Sequence, residues 1–242
     1  MSTSVLLEIA VTGSEGAAIA VNAGADRLEI CEALEIGGIT SNPETIEATL
    51  AVCGSVGVHA LIRPRGGNFV YSQAEIELMI AQARRTAEQG VAGLVIGALD
   101  AQGLVDLPSM SRLIAEVKGI NPNLELTFHR AIDASAHPVT VIGQLIDLGF
   151  TRVLSSGGAA AAPDGVQTLA AMATAAKDKI QIMAGGGMQP QTIAPVIAVG
   201  IDAVHFSAKA AAPDNSYWVT SAKQVALLRS TLDEVLDQVT PA

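Results

Sequence analysis

Short apolar segments alternate with longer helical segments along the whole chain, and this alternation restricts the possible folds more than any other feature. The eight apolar segments cover residues 6–10, 27–31, 58–62, 93–96, 125–128, 152–155, 180–184 and 203–206. Helices are predicted after them at residues 14–23, 43–52, 72–89, 108–118, 138–148, 165–176, 191–199 and 220–238. Strands that alternate with helices form parallel sheets, and eight such units can close on themselves. The sequence therefore predicts the α/β class and a single TIM (β/α)8 barrel.

A doubly wound open sheet is the alternative fold. Such a sheet usually carries a glycine fingerprint directly after its first strand, whereas the glycine-rich turns here follow the third, sixth and seventh segments. The length of 242 residues also matches one barrel, which typically needs about 250. No linker divides the chain, so we expect residues 1–242 to form a single domain.

The composition argues against several classes of protein. A net charge of −10 and the lack of basic clusters argue against nucleic-acid binding. Residues 180–201 carry no charge, but the glycines at 185–187 and two prolines within them indicate a buried strand, a turn and a helix. We therefore expect no membrane association. Two cysteines and no signal peptide predict a cytoplasmic location.

Alternation along the strands predicts which side chains fill the barrel. Apolar Leu7 and Ile9 should face the helices, which turns Glu8 inward. The same reasoning selects Glu29, Cys31, His59, Leu61, Arg63, Thr127, His129, Ser155, Met183, His205 and Ser207. Two explanations stay open for the charged residues Glu8, Glu29 and Arg63. They form a buried ion-pair cluster, because buried charges must be paired, or they line a polar pocket at the C-terminal mouth.

The pocket explanation supplies candidate catalytic residues. Barrel enzymes carry out their chemistry at the C-terminal ends of the strands. His129 stands at the end of the fifth strand, where it could act as a general acid or base. Asp133 follows and would orient a neighbouring cation. The candidate catalytic residues are Glu8, Glu29, Arg63, His129, Asp133 and His205.

Glycine-rich turns and two arginines predict an anion site at the same mouth. The third segment ends in Arg63-Pro64-Arg65-Gly66-Gly67, which places two guanidinium groups beside a tight turn. Backbone N–H groups in glycine turns bind anions, and barrel phosphate sites use the loops after the last strands. The candidate anion-binding residues are Arg65, Ser156, Gly157, Gly158, Gly185, Gly186, Gly187 and Ser207.

The candidate metal ligand is Cys31, and a site would need His129 or His205 to meet it at the mouth. Copper(I) prefers thiolate and thioether ligands, and the chain has no C-x-C, C-x-x-C or M-x-x-M run. Cys53 ends a helix before Gly54 and is expected to be structural. Cys31 lies at the end of the second segment, so we expect weak, accessory copper binding there.

Eight short motifs, spread over nearly the whole chain, resemble the CutC family of copper homeostasis proteins. They are residues 24–31 (GADRLEIC), 37–40 (GGIT), 62–67 (IRPRGG), 69–72 (FVYS), 127–131 (TFHRA), 156–158 (SGG), 184–187 (AGGG) and 204–208 (VHFSA). The resemblance implies a single TIM barrel, a cytoplasmic location, a homo-oligomer (a dimer or higher) and copper binding, and it implies no organic cofactor. Asn68 stands where the family usually has Asp, which removes a carboxylate from that position.

Two classes of function follow from these observations. The first, implied by the resemblance, is a cytosolic protein that binds or handles copper. The second is an enzyme of the lyase, isomerase or hydrolase type that acts on a small anionic substrate, phosphorylated compounds included. In the second class Arg63 and Arg65 hold the negative charge and His129 moves a proton.

Overall fold

Eight parallel strands close into a barrel in the computed structural model, which describes residues 5–212, 214 and 216–239. The strands are β1 (Leu6–Val11), β2 (Arg27–Ile30), β3 (Gly57–Leu61), β4 (Gly93–Ile96), β5 (Glu125–Phe128), β6 (Arg152–Ser155), β7 (Gln181–Gly185) and β8 (Ala203–Phe206). Parallel pairing of β1 with β8, in which Glu8 lies opposite His205, closes the barrel. The prediction of a single TIM barrel is confirmed. The two ends of the predicted domain range 1–242 lie outside the described residues.

Helices connect successive strands and cover the outside of the barrel. They are α1 (Ser14–Asn22), α2 (Pro43–Leu50), α3 (Gln73–Glu88), α4 (Leu107–Ile120), α5 (Pro138–Asp147), α6 (Val166–Ala176), α7 (Ile193–Ile197) and α8 (Ala222–Val239). A capping box begins α3, because Ser72 and Glu75 each accept a hydrogen bond from the other's backbone N–H. Of the helices in the described part, none has both the length and the hydrophobicity that a bilayer crossing requires.

The main hydrophobic core lies between the barrel and its helices, where the alternation placed it. Leu7, Ile9, Leu28 and Ile30 are fully buried in this core. The inside of the barrel holds only two small apolar clusters among the described residues, which are Cys31 with Leu61 and Val95, and Leu154 with Met183 and Ala203. Charged and polar side chains occupy much of the remaining interior. Most barrels fill this space with branched aliphatic residues, so the polar interior calls for a physical explanation.

The predicted alternation was wrong on β6. Val153 packs in the outer core and Leu154 packs inside the barrel, so Arg152 shares the inward face and Ser155 does not. Because both central positions of this strand are apolar, the sequence pattern did not indicate which of them faces the helices and which faces the barrel interior.

A hairpin that the sequence did not predict follows β8. Its strands are β9 (Lys209–Ala211) and β10 (Trp218–Thr220), which pair antiparallel. Ala208 has a φ of 41°, in the left-handed region that alanine rarely adopts, and there the chain leaves the barrel. Strands of three residues are too short for alternation to reveal. The hairpin places Trp218 at the edge of the barrel mouth.

Candidate functional site

A cavity of about 760 Å³ opens at the C-terminal ends of the strands. Small-molecule sites usually have volumes of about 300–1,000 Å³. Its most buried polar lining consists of Glu29, Arg63, His129 and His205, contributed by β2, β8 and the ends of β3 and β5. The structure thus brings four of the six candidate catalytic residues to one cavity, and the other two contact its lining from behind.

Glu8 fixes the orientation of His205. Its Oε1 lies 2.7 Å from His205 Nδ1, and the Glu8 side chain is fully buried. Burial alone would raise the pKa of Glu8, but Arg27 and the hydrogen bond with His205 outweigh burial and hold that pKa well below its usual range. Glu8 is therefore an anion that accepts a hydrogen bond from Nδ1–H, which leaves Nε2 as the ring nitrogen nearest Glu29.

Glu29 and His205 form an acid–base pair in the cavity. Glu29 Oε2 lies 3.8 Å from His205 Nε2. Burial raises the pKa of Glu29 to about 7, although His205 opposes the rise. The pKa of His205 is also raised, because Glu29 and Glu8 together outweigh the opposite effect of burial. The pair can therefore release and take up a proton near neutral pH, as general acid–base catalysis requires.

The counter-charge of Glu8 is Arg27, so the predicted pairing with Arg63 was wrong. Arg27 Nε donates to Glu8 Oε2, and Arg27 Nη1 donates to Glu125 Oε2 at 2.8 Å. Arg27 stands two residues before Glu29 on β2 and therefore on the same face. The alternation that selected Glu29 also selects Arg27, and it is the one signal that could have found this ion pair.

Arg63 is a buried cation held by backbone carbonyl groups. Its Nη1 donates to Gly38 O and its Nη2 to Gly67 O, both at 2.9 Å, and the guanidinium lies 5.0 Å from the centroid of the Phe69 ring. Arg63 Nε has no hydrogen-bond partner among the described residues, and no ion pair in that part of the chain includes Arg63. Because a buried charge needs a partner, Arg63 is suited to receive an anion in the cavity.

His129 is a neutral hydrogen-bond donor. Its Nδ1 accepts from the Ala131 N–H at 3.2 Å, so the ring proton sits on Nε2, which has no partner among the residues described. Burial, followed by the charge of Arg63, lowers the pKa of His129 to about 3. The general acid–base role suggested by the sequence does not suit a ring that stays neutral. A neutral ring can instead act as a hydrogen-bond donor through Nε2–H.

Asp133 occupies the turn that was predicted to bind an external anion. Its carboxylate accepts from the backbone N–H of Ser156 at 3.0 Å and of Gly158 at 3.1 Å, and from Ser155 Oγ at 2.6 Å. The remaining predicted donor, the N–H of Gly157, is bonded to Ser155 Oγ at 2.8 Å. An external anion would have to displace the Asp133 carboxylate from these groups.

The same carboxylate orients Arg130, which matches the role predicted for Asp133. Arg130 Nε donates to Asp133 Oδ2 at 2.8 Å, and Arg130 Nη2 donates to Ser156 Oγ at 2.9 Å. Arg130 lines the cavity next to Gly186. Asp133 is therefore a positioning residue for a second guanidinium at the mouth.

Arg65 serves its own loop rather than the cavity. Its Nε donates to Glu75 Oε1 at 2.6 Å and its Nη2 to Val70 O at 2.9 Å, and its guanidinium lies 5.1 Å from the centroid of the Tyr71 ring. Arg65 is not part of the cavity lining. The two arginines on either side of Pro64 therefore have different functions, although the sequence treats them as a pair.

The glycine turn after β7 gives Arg130 room at the mouth. Gly186 has a φ of 97°, and a Cβ at this position would lie 2.8 Å from Arg130 Nη1. A larger residue would therefore be strained and would collide with the guanidinium. Gly186, Gly187 and Ser207 line the cavity, and Gly185 ends β7. Gly186, Gly187 and Ser207 are open to a ligand, Gly185 is buried, and the role of all four in anion binding stays a prediction.

Cys31 does not fit a resident copper site. Its thiol is buried against Leu61 and Val95, and burial, followed by the charges of Glu29 and Glu32, raises its pKa well above the usual value. Copper binds the thiolate, so an ion would have to displace the proton of this buried thiol, which costs more here than at an exposed cysteine. Within the described ranges, no group of three or more His, Cys, Asp or Glu side chains is placed to hold a metal ion.

Several proteins similar to this chain share one family name. A family model described as the CutC family matches residues 5–210. A family protein CutC of Histophilus somni is 35% identical over 246 residues, which cover 94% of this chain and 99% of that protein. A family protein CutC of Xanthomonas campestris pv. campestris is 42% identical over 207 residues, which cover 86% of this chain and 84% of that protein.

A solved crystal structure has the same fold. It is that of a protein from Streptococcus agalactiae described as a candidate copper homeostasis protein CutC. The two structures superpose with a TM-score of 0.78 and 29% sequence identity, over 84% of this chain and 99% of that one.

Proposed function

This chain belongs to the CutC family, and on that premise we propose that the cavity at the barrel mouth binds a small organic anion and moves a proton on it. The reaction class is isomerase or lyase. One observation carries the proposal: the Glu29–His205 pair shares its cavity with Arg63, a buried guanidinium that has no ion-pair partner within the described part of the chain, and with the neutral ring of His129.

Arg63 and His129 hold the negative charge of the substrate in this proposal. Both pack on Phe69, with 5.0 Å from the ring centroid to the Arg63 guanidinium and 5.0 Å to the His129 ring centroid. His129 donates without adding charge, and Arg130 supplies a second guanidinium, fixed by Asp133. Preorganised donors of this kind stabilise the charge that develops on a carbonyl oxygen in the transition state.

Glu29 and His205 move the proton. The Glu29 carboxylate takes a proton from a substrate carbon next to a carbonyl group, and the electron pair moves to the carbonyl oxygen. Arg63 and His129 stabilise the resulting enolate. Protonated His205, oriented by Glu8, then donates a proton to a carbon of the enolate, which gives an isomer, or to a leaving group on the next carbon. In the second case the leaving group departs with its bonding electrons, while the enolate electrons form a carbon–carbon double bond and restore the carbonyl group.

Exchange of carbon-bound hydrogen in deuterium oxide tests this function. The wild-type protein is incubated with a panel of sugar phosphates and 2-oxo acids, and proton NMR follows the loss of each C–H signal. We expect at least one anionic carbonyl compound to exchange in the presence of the protein and not in its absence. No exchange across the panel, together with no affinity for inorganic phosphate or oxalate, would contradict the proposal.

The two arginines of one loop give a matched pair of variants for anion binding. Arg63→Met is expected to weaken the binding of inorganic phosphate and oxalate by about tenfold or more, because each charge-assisted hydrogen bond contributes about 1.5–3 kcal/mol. Arg65→Met should leave the affinity within about twofold, since Arg65 is bonded to Glu75 outside the cavity. Isothermal titration measures both, with thermal melting to show that each variant is folded. Equal losses in the two variants would argue against a role for Arg63 in the site.

Copper handling is the second candidate function. It is supported by the description of the Streptococcus agalactiae relative as a candidate copper homeostasis protein. In this candidate function copper is a cargo that contacts the chain briefly, because the protonated thiol of Cys31 disfavours a resident ion. The expected cytoplasmic location and homo-oligomeric state stay predictions.

A competition experiment checks the copper prediction. Copper(I) is titrated into the protein in the presence of bicinchoninate, and Cys31→Ser is compared with Cys53→Ser and the wild type. We expect weak binding that strengthens as the pH rises, because the Cys31 thiolate forms only above its raised pKa. Tight stoichiometric binding at neutral pH that is lost only in Cys31→Ser would show that the thiol is a genuine copper ligand.

A further inference from the structure

We propose that the anion bound at the mouth carries an apolar, preferably aromatic, portion, and that Trp218 packs against it. This inference rests on the proposed function, which supplies the charged end of the ligand. The inference adds the chemical class of the ligand's other end. It also assigns a role in specificity to the β9–β10 hairpin, which the barrel fold itself does not require.

The size of the cavity is the first argument. Its volume of about 760 Å³ corresponds to a ligand of drug-like size. A phosphate or carboxylate group bound to Arg63 and His129 would fill only the innermost part of that space. The rest of the ligand must therefore be larger than its charged group, or the outer cavity would be left to water.

The division of the lining is the second argument. Of the charged lining residues, Glu29 and Arg63 are each only 6% exposed, whereas the Arg130 side chain is 41% exposed and Lys209 belongs to the hairpin at the opening. The outer lining includes Ile36, Trp218 and Leu227, which are 51%, 55% and 50% exposed. Large exposed apolar side chains that converge on one opening mark a binding surface. A ligand that is anionic at its inner end and apolar at its outer end matches this division.

The position of Trp218 is the third argument. The left-handed residue Ala208 leads out of β8 into the hairpin, and the antiparallel register places Trp218 on β10 opposite Ala211 on β9. Lys209 Nζ lies 5.0 Å from the centroid of the Trp218 ring and so restrains the ring by a cation–π contact. Both residues line the cavity. Lys209 therefore holds an aromatic surface at the opening, where an apolar group of the ligand would leave the water.

Paired titrations with phenyl phosphate and inorganic phosphate test the inference. The two probes share the charged group and differ in the ring. We expect phenyl phosphate to bind about tenfold more tightly or better. Trp218→Ala should remove about three- to tenfold of that preference and leave the affinity for inorganic phosphate unchanged. Tyr217→Ala is the matched control, because Tyr217 is 63% exposed, adjacent in sequence and outside the lining of this cavity.

The outcomes separate this inference from the proposed function. Equal affinities for the two probes, unchanged in Trp218→Ala, would overturn the inference and leave the anion site standing. An equal loss for both probes in Trp218→Ala would also overturn it, because Trp218 would then act on the charged end. Failure of both probes to bind would reject the proposed function together with the inference. Sedimentation is measured in parallel. If Trp218→Ala dissociates an oligomer, the outer lining is a contact between copies of the chain, and that result would contradict the inference.

The intrinsic fluorescence of Trp218 provides a second test of the inference. Trp218 is the single tryptophan of the chain, so its emission reports on one place. We expect phenyl phosphate to change the emission with the same apparent affinity as in the titration, and inorganic phosphate to change it much less. No change on saturation with phenyl phosphate would place the ring of the ligand elsewhere and overturn the inference.

Discussion

Arg27→Met is expected to lower the free energy of unfolding by about 3–5 kcal/mol, the usual cost of leaving one partner of a buried ion pair without the other. Glu8 has no solvent exposure and Arg27 is 4% exposed, so water cannot replace the lost charge. The pKa of Glu8, now held well below its usual range, would rise, since burial is the largest influence on it. Urea denaturation at neutral pH measures the loss.

An exposed arginine serves as the control for this change. Arg112 is half exposed and pairs with Glu77 on the surface, so Arg112→Met should leave the stability almost unchanged. The double variant Glu8→Gln with Arg27→Met should recover part of the loss, because it removes the stranded charge. A loss in Arg27→Met no larger than in Arg112→Met would mean that the Glu8–Arg27 pair is not what stabilises the polar interior.

Glu29→Gln is expected to slow the proposed proton exchange by about 10²–10⁴-fold, the range that a positioned general base contributes. Glutamine keeps the shape of the side chain, so the affinity for inorganic phosphate should change little. Glu35→Gln is the control, because Glu35 is an exposed carboxylate close in sequence and outside the cavity lining. The readout is the initial rate of deuterium incorporation into the exchanging compound.

The pH dependence of this exchange follows from the two raised pKa values. The rate should rise with pH as Glu29 loses its proton, with a midpoint about 7. It should fall as His205, whose pKa is also raised, loses its proton and becomes neutral. An unchanged rate in Glu29→Gln, or a rate independent of pH across this window, would remove Glu29 from the mechanism.

The sequence predicted the barrel because the signal was repeated. Eight apolar segments at similar spacing left few alternatives, and small errors at the ends of segments did not change their number. Alternation also placed Glu8, Glu29, Arg63, His129 and His205 inside the barrel or at its mouth, because each strand carries apolar residues on the opposite face. It was wrong on β6, where adjacent Val153 and Leu154 are both apolar.

Pairing between distant side chains was harder to predict than their location. A buried carboxylate can pair with any nearby cation, and the sequence offered Arg27, Arg63 and Arg152 without their distances. Asp133 contacts the end of β6 and the turn after it, whose residues lie 22 or more positions further along the chain. Its role as an internal anion could therefore not be predicted from local spacing. The tautomer of His129 likewise depends on one backbone N–H that only the folded chain brings to Nδ1.

NMR titration of the cavity side chains tests the central claim most directly, because it needs no knowledge of the substrate. The chain has four histidines, so ¹⁵N labelling can resolve each ring, while ¹³C-labelled glutamate carboxyl groups report on Glu29. We predict that Glu29 titrates with a pKa of about 7, and that His129 stays neutral, with its proton on Nε2, between about pH 5 and 8. The contrary result is a Glu29 that titrates near its ordinary pKa of 4.5 together with a His129 that gains a proton near neutral pH. That result would mean that the mouth holds neither an acid–base pair nor a neutral donor, and it would contradict the function proposed for this barrel.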